Sequence, residues 1–266
     1  MHEVARSSGV GFVKVRFDIA TLQANLIMST KLTWLGQSKV LCTLPVTVLV
    51  VIAALDSGDK ALLGASFPML EKTLGLHVDT LGYFSLFTNL SYALCLPLWG
   101  WLIHHYTVRH AHNILCSACL LWGLATLAIA QSTSVVSQAF WRSINGGSLA
   151  SILPLSQMML VDLVPTSMRG SAFGLMGLCE KVAATLATSA VVWYSDWRHP
   201  YIIVGSISIL MAGAAKQFLK MNYKKIKEGG DEKEEELSLL GVFKRISQIP
   251  AFVYLVAQGL FGAIPW

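Results

Sequence analysis

The chain has 266 residues, 54% of them hydrophobic and 13% charged, with a formal charge of +5. Soluble domains average roughly 45 to 50% and about 25%, and apolar runs of 18 or more residues recur along this chain, so lipid rather than water is the expected solvent. The basic residues are not gathered into one face or interleaved with exposed aromatics, which argues against nucleic acid as a partner.

Residues 1–40 carry Arg6, Lys14, Arg16, Lys31 and Lys39 before the first long apolar run begins near Leu41. That order differs from the basic, apolar, small-residue sequence of a cleaved leader. They are read as a cytoplasmic N-terminal segment.

Residues 41–221 divide into six apolar spans, and the first runs from about Leu41 to Leu70. It is broken by "LDSGDKALLGASFP", which places Asp56, Asp59 and Lys60 in an apolar setting. An ionisable group inside a span costs at least about 2.5 to 3.5 kcal/mol, so it usually faces a cavity or a partner rather than lipid. Asp56 and Lys60 stand one helical turn apart and can pair, and Asp56 shares a face with Asp59. Two carboxylates share one lysine. One reading is a self-neutralised pair that closes a helix contact; the other leaves Asp59 over as a proton- or cation-responsive group.

The second span, about Leu81 to His104, leads into a connection with His104, His105, Arg109, His110 and His112. A membrane di-iron oxygenase would need several separated histidine-rich boxes with acids, and one cluster occurs, so no metal, cofactor or enzyme activity is expected. A partly protonated cytoplasmic loop is the alternative reading. The third span, about Asn113 to Ala130, holds Cys116 and Cys119 as a C-x-x-C without a second pair, which reads as buried small side chains.

The fourth span, about Val135 to Val164, carries Arg142 near its start. A guanidinium stays charged and offers a planar fork suited to carboxylate or phosphate. Arg142 is therefore either an anion-holding group, able also to pair with Asp59, or an interfacial arginine reaching for headgroups. The fifth span, about Met168 to Tyr194, has Glu180 and Lys181 near its middle. Adjacent helical residues point about 100 degrees apart, so they serve different neighbours, either the substrate path or interhelical pairing with Asp56 or Lys60. Gly146, Gly147, Ala150, Gly170, Gly174 and Gly177 recur at helical spacing and predict close helix contacts. Pro68, Pro97 and Pro154 predict kinks.

The sixth span, about Pro200 to Leu219, is followed by residues 222–247, read as a charged, solvated cytoplasmic linker. Residues 248–266 read as the beginning of a seventh helix, cut off at Trp266. Fifteen lysines and arginines flank one side of the spans and two, Lys72 and Arg198, the other. This asymmetry puts the N-terminal segment and the linker in the cytoplasm.

Four stretches carry a resemblance to the N-terminal half of a major facilitator superfamily transporter, most of all its spinster-like branch. "DKALLGASFP" resembles the family's D-R-x-x-x-A-x-x-L-P in helix 1, with Asp59 and Lys60 at the Asp-Arg pair. "GYFSLFTNLSYALCLPLWGWL" resembles helix 2. "WRSINGGSLASILPLSQMMLVDLVP" follows helix 4, which begins R-x-x-x-G, and "MRGSAFG" with Trp197 and Arg198 matches the ends of helix 5. The resemblance covers about Val46 to Gly205. In the loop between helices 2 and 3 the sequence keeps Gly100, Leu102 and Arg109, while His104, His105 and Thr107 replace the family's Asp, Arg and Gly. Leu149 stands where the family tends to have a Glu.

The resemblance implies an all-α, polytopic, six-helix bundle of two three-helix inverted repeats, and a secondary transporter of a small organic or lipid-like solute, anionic and proton-coupled. With the charge pattern, this assigns expected substrate and proton-coupling roles to Asp56, Asp59, Lys60 and Arg142, to which Glu180 and Lys181 are added by their place in the fifth span alone, and a conformational-loop role to Gly100, His104 and Arg109. Membrane lipid, the solute and protons are the expected partners, with a second half or a second copy completing the transporter. The alternative is a membrane scaffold or regulatory protein that retains a half-transporter fold.

Overall fold

A computed structural model describes residues 41, 43–75, 77–105, 111–194, 196–219 and 247–262. Six long helices follow in chain order: α1 (Leu44–Leu74), α2 (Val78–His105), α3 (Ala111–Gln131), α4 (Val135–Leu163), α5 (Arg169–Tyr194) and α6 (Arg198–Ala214). A 3-10 turn, Thr166–Met168, leads into α5, a π-helical turn, Ala215–Leu219, prolongs α6, and α7 spans Pro250–Gly262. The predicted spans agree with α1 to α6 to within a few residues. The segment 1–40, Arg109 and His110 of the second connection, and residues 222–246 of the linker lie outside the described residues.

Local chemistry sets several of the ends. Gly75, at a φ of +62°, follows α1 in the left-handed conformation that commonly closes a helix. Ser134 caps α4, its hydroxyl accepting from the Ser137 amide at 3.2 Å. Before α6, Asp196 accepts from the Arg198 amide at 3.0 Å. Pro68, Pro97 and Pro154 stand inside helices that continue past them.

Five of the helices are long and apolar enough to cross a membrane: α2, α3, α4, α5 with its 3-10 turn, and α6 with its π turn. Helix α1 is different. At 31 residues it is roughly 46 Å long, yet any 18-residue stretch of it contains Asp59 and Lys60 with at least one of Asp56, Glu71 and Lys72. The bundle compensates by turning Asp56 and Asp59 inward, where both are buried.

The helices pair in a pattern that reveals an internal repeat. Between helices that are not neighbours in the chain, the extensive interfaces are α1 with α5, α2 with α4, and α3 with α6; the consecutive helices α3 and α4 also pack extensively. Exchanging α1, α2, α3 for α4, α5, α6 turns the first pair into the second and returns the third to itself, as expected of two three-helix repeats. The core contains Trp122, Trp197, Tyr201 and Phe84, all fully buried. In contrast, Leu86, Leu90, Leu94 and Leu98 form an exposed row along α2 at a spacing of four, a face that lipid or another apolar surface would cover.

Glycine sets the closest contacts. A Cβ at Gly146 would collide with the Thr88 carbonyl oxygen of α2, and one at Gly123 would come within 2.9 Å of the Gly205 oxygen on α6. The Trp99 indole donates to the Gly147 carbonyl at 2.7 Å across the same α2–α4 seam. Gly170, Gly174 and Gly177 differ from expectation: no described atom lies near enough for an added Cβ to touch. Their spacing fits a contact face, but in this bundle α5 turns it outward.

A test of the packing compares two alanine substitutions by thermal unfolding in nanodiscs. Gly146→Ala should cost about 1–3 kcal/mol through overpacking, whereas Gly177→Ala should be near neutral. Equal losses would contradict the α2–α4 contact.

Candidate functional site

Each of the facing helices brings a polar residue series to one region. On α1 the spacing of three and four puts Asp56, Asp59 and Lys60 on adjoining faces, and on α4 Arg142, Asn145 and Leu149 share one face by the same rule. Between them lies a cavity of about 290 Å³. Its polar walls come from Asp59 and Lys60 of α1, Asn89 of α2, Arg142 and Asn145 of α4, and Tyr201 of α6. Leu63, Phe67, Ile129 and Leu149 add apolar surface. Such a mixture of apolar walls with few convergent polar groups is typical of small-molecule sites.

The carboxylates have different partners. Lys60 Nζ donates to Asp56 Oδ2 at 2.8 Å, the pair expected from their spacing. The ammonium also lies 4.8 Å from the centroid of the Tyr92 ring, a cation–π contact. The other oxygen, Asp56 Oδ1, is buried without a hydrogen-bond partner among the described residues. Glu180 on α5 is near enough for its charge to act on Asp56.

Asp59 is the acid left over, as the sequence suggests, and a neutral amide holds it. Asn145 Nδ2 donates to Asp59 Oδ2 at 2.9 Å and to Thr126 Oγ1 at 3.0 Å. Thr126 has one hydroxyl proton. It is better placed on the Trp122 carbonyl at 2.9 Å than on Asp59 Oδ1 at 3.5 Å, which leaves Asn145 as the principal donor to the carboxylate. This network joins α1, α3 and α4 at one buried point.

Arg142 is 3% exposed, so it is not the interfacial arginine of the alternative reading. Its terminal nitrogens both donate to the Tyr201 phenol oxygen, at 3.4 and 3.5 Å. The guanidinium lies 5.4 Å from the Phe84 ring centroid and 5.5 Å from that of Tyr201. Among the described residues it forms no ion pair with Asp59 or any other acid within 4.0 Å.

The structure thus brings Asp59, Lys60 and Arg142 to one cavity and keeps Asp56 just behind Lys60. Glu180 and Lys181 are not in its wall: Glu180 bears on Asp56 and Lys181 is exposed on α5. Gly100 is exposed near the end of α2, His104 lies in its last turn, and Arg109 is outside the described residues. Among the described residues no three His, Cys, Asp or Glu side chains converge as a metal site would require. Cys116 and Cys119 are free and buried in α3. Asn145, Tyr201 and Thr126 complete the site without being among the residues that charge in an apolar span singles out. Asn145 was signalled by its position three residues after Arg142; Tyr201 and Thr126 lie in apolar runs and gave no sign.

Comparison with known proteins gives this geometry a context. The family model described as Major Facilitator Superfamily matches residues 49–266. A D-galactonate transporter of Escherichia coli O6:H1 is 27% identical over 179 residues, which cover 66% of this chain and 40% of the relative. The putative multidrug resistance protein MdtD of Salmonella typhi is 25% identical over 178 residues, covering 64% and 36%. The chain therefore spans well under half the length of these curated relatives. Crystal structures of a bacterial homolog to the human lysosomal transporter Spinster share the fold. The inward-facing, occupied form aligns with a TM-score of 0.53 at 19% identity, over 64% of this chain and 42% of that one. The inward-facing, unoccupied form aligns at 0.54 and 18%, over 77% and 46%.

The Asp56–Lys60 pair can be tested by a double-mutant cycle read by thermal unfolding. Lys60→Met leaves a buried carboxylate without its donor and should cost about 1–3 kcal/mol. Adding Asp56→Asn should recover part of that loss; additive losses would show that the pair is not coupled.

Proposed function

The chain belongs to the Major Facilitator Superfamily, and from that premise we propose that it is the N-terminal bundle of a secondary transporter for a small organic anion, working by alternating access. One observation carries the reading: a buried carboxylate and a buried guanidinium face one cavity without being ion-paired to each other. Burying unpaired charge is expensive, and a passing solute or proton would supply what each group lacks. A purely structural scaffold would have less reason to keep this space unfilled.

Arg142 is the anion-holding group and Lys60 a second positive edge of the cavity. The similarity to a D-galactonate transporter supports a carboxylate-bearing solute. Asp59 is the proton-responsive group: as a carboxylate it accepts from Asn145, and when protonated it could instead donate to the amide oxygen after the amide turns over. Asp56, Lys60 and Glu180 tune the charge behind it. With Leu149 in the cavity wall in place of the acid the resemblance would supply, proton coupling rests on Asp59 alone.

Alternating access is a rocking of bundles around a central site. A second six-helix bundle, contributed by further sequence or by another copy, completes the transporter along the outward faces of α2 and α5. In this scheme α1 spans the membrane with the other five helices, and the N-terminal segment and linker 222–247 are cytoplasmic.

Two variants test the assignment in proteoliposomes. Asp59→Asn should abolish the dependence of solute uptake on an imposed pH gradient while leaving solute exchange measurable, and intact pH dependence would overturn its role. Arg142→Ala should weaken binding of an anionic solute by tenfold or more, the order of a lost charge-assisted hydrogen bond, with little effect of Arg109→Ala. Equal effects would remove Arg142 from the site.

A further inference from the structure

The most unusual contact of the cavity is the one between Arg142 and Tyr201. A single neutral oxygen faces both terminal nitrogens of a buried guanidinium at nearly equal distances, 3.4 and 3.5 Å. An anionic oxygen in that fork would sit closer, at about 2.7–2.9 Å, and bond about twice as strongly. The third nitrogen, Nε, has no hydrogen-bond partner among the described residues. Arg142 is thus held by a neutral oxygen and, among the described residues, has no ion pair within 4.0 Å.

The hydrogens around the phenol can be assigned from its other neighbour. Ser66 Oγ lies 2.7 Å from the Leu62 carbonyl oxygen and 3.2 Å from the Tyr201 oxygen. The serine has one proton, best used on the carbonyl, so the Tyr201 hydroxyl donates to Ser66 and keeps its lone pairs for Arg142. The phenol is therefore oriented as an acceptor toward the guanidinium. Trp197 packs edge-on against the tyrosine ring, with centroids 6.0 Å apart, and Tyr201 is 1% exposed. The ring is fixed; the guanidinium, on its longer stem, is the part that can turn.

We propose that Tyr201 is the resting partner of Arg142 and a determinant of anion affinity: a carboxylate or phosphate monoester entering the cavity draws the guanidinium away from the phenol. This rests on the anion-transport reading above. The groups surrounding the exchange are Lys60 and Asp59 on α1, with Asp56 behind them, Asn145 on α4 and Ser66 on α1. Because Tyr201 on α6 meets α4 through Arg142 and α1 through Ser66, loading releases the contact with α4 and leaves the one with α1 in place. The phenol raises the threshold for binding, so weakly charged or neutral solutes fail to displace it.

The experiment is calorimetric binding to the chain in phosphatidylcholine nanodiscs, with D-galactonate as a free anion, lysophosphatidate as a lipid anion and galactitol as an uncharged control. Tyr201→Phe removes the competing oxygen and should tighten binding of whichever anion the wild type binds by about threefold to tenfold, the equivalent of one modest hydrogen bond. Galactitol binding should not change. The responding probe identifies the source of the anion. Unchanged or weaker anion binding in Tyr201→Phe, with Arg142→Ala losing it, would overturn the role of Tyr201 and leave the anion reading intact. Absence of anion binding in wild type and variant alike would overturn both. Should Tyr201→Phe fail to fold, Ser66→Ala loosens the phenol and should tighten anion binding by a smaller factor; no change there would also count against the proposal.

Discussion

The structure depends on how an apolar bundle accommodates charge. Insertion of a single ionised side chain at the centre of a span is costly, and here Asp56, Asp59 and Arg142 are all buried among helices of mostly apolar sequence. Each has a distinct solution. Asp56 uses a lysine one turn away; Asp59 uses an amide and the polar groups of two other helices; Arg142 uses a phenol. The helix rotations that satisfy these groups also leave the cavity between α1 and α4.

The repeat explains why those two helices meet there. Under exchange of the repeats, α1 and α4 replace one another, so their contact lies at the pseudo-symmetry centre. Close glycine contacts at α2–α4 and α3–α6 keep the remainder of the bundle tight, and the cavity is where polar side chains take the place of that packing. A carboxylate from one repeat and a guanidinium from the other then face the same space.

Helix positions and the principal charged residues were largely legible in the sequence, because apolar length and a spacing of three or four residues are local properties. Asp56 and Lys60 could be paired on that basis, and Asp59 identified as the acid left over. What could not be read was helix rotation. Glu180 and Lys181 stand in an apolar run as Asp59 does, yet the packing of α5 on α1 leaves both outside the cavity wall. Gly170, Gly174 and Gly177 had the spacing of a contact face and found no neighbour in the bundle. Conversely, Tyr201 gains its importance from Arg142, 59 residues earlier, a separation that local pattern cannot bridge.

On the proposed function, this cavity opens to solvent on alternate sides of a membrane. The direct measurement is modification of Ser85→Cys, a small change in the cavity wall, in an otherwise cysteine-free chain within oriented vesicles, using a membrane-impermeant maleimide added from either side. The account predicts labelling from both sides, with a bound anion slowing both reactions. A position that resists the reagent from both sides, or labels from one side alone regardless of anion and pH, would contradict alternating access at this site.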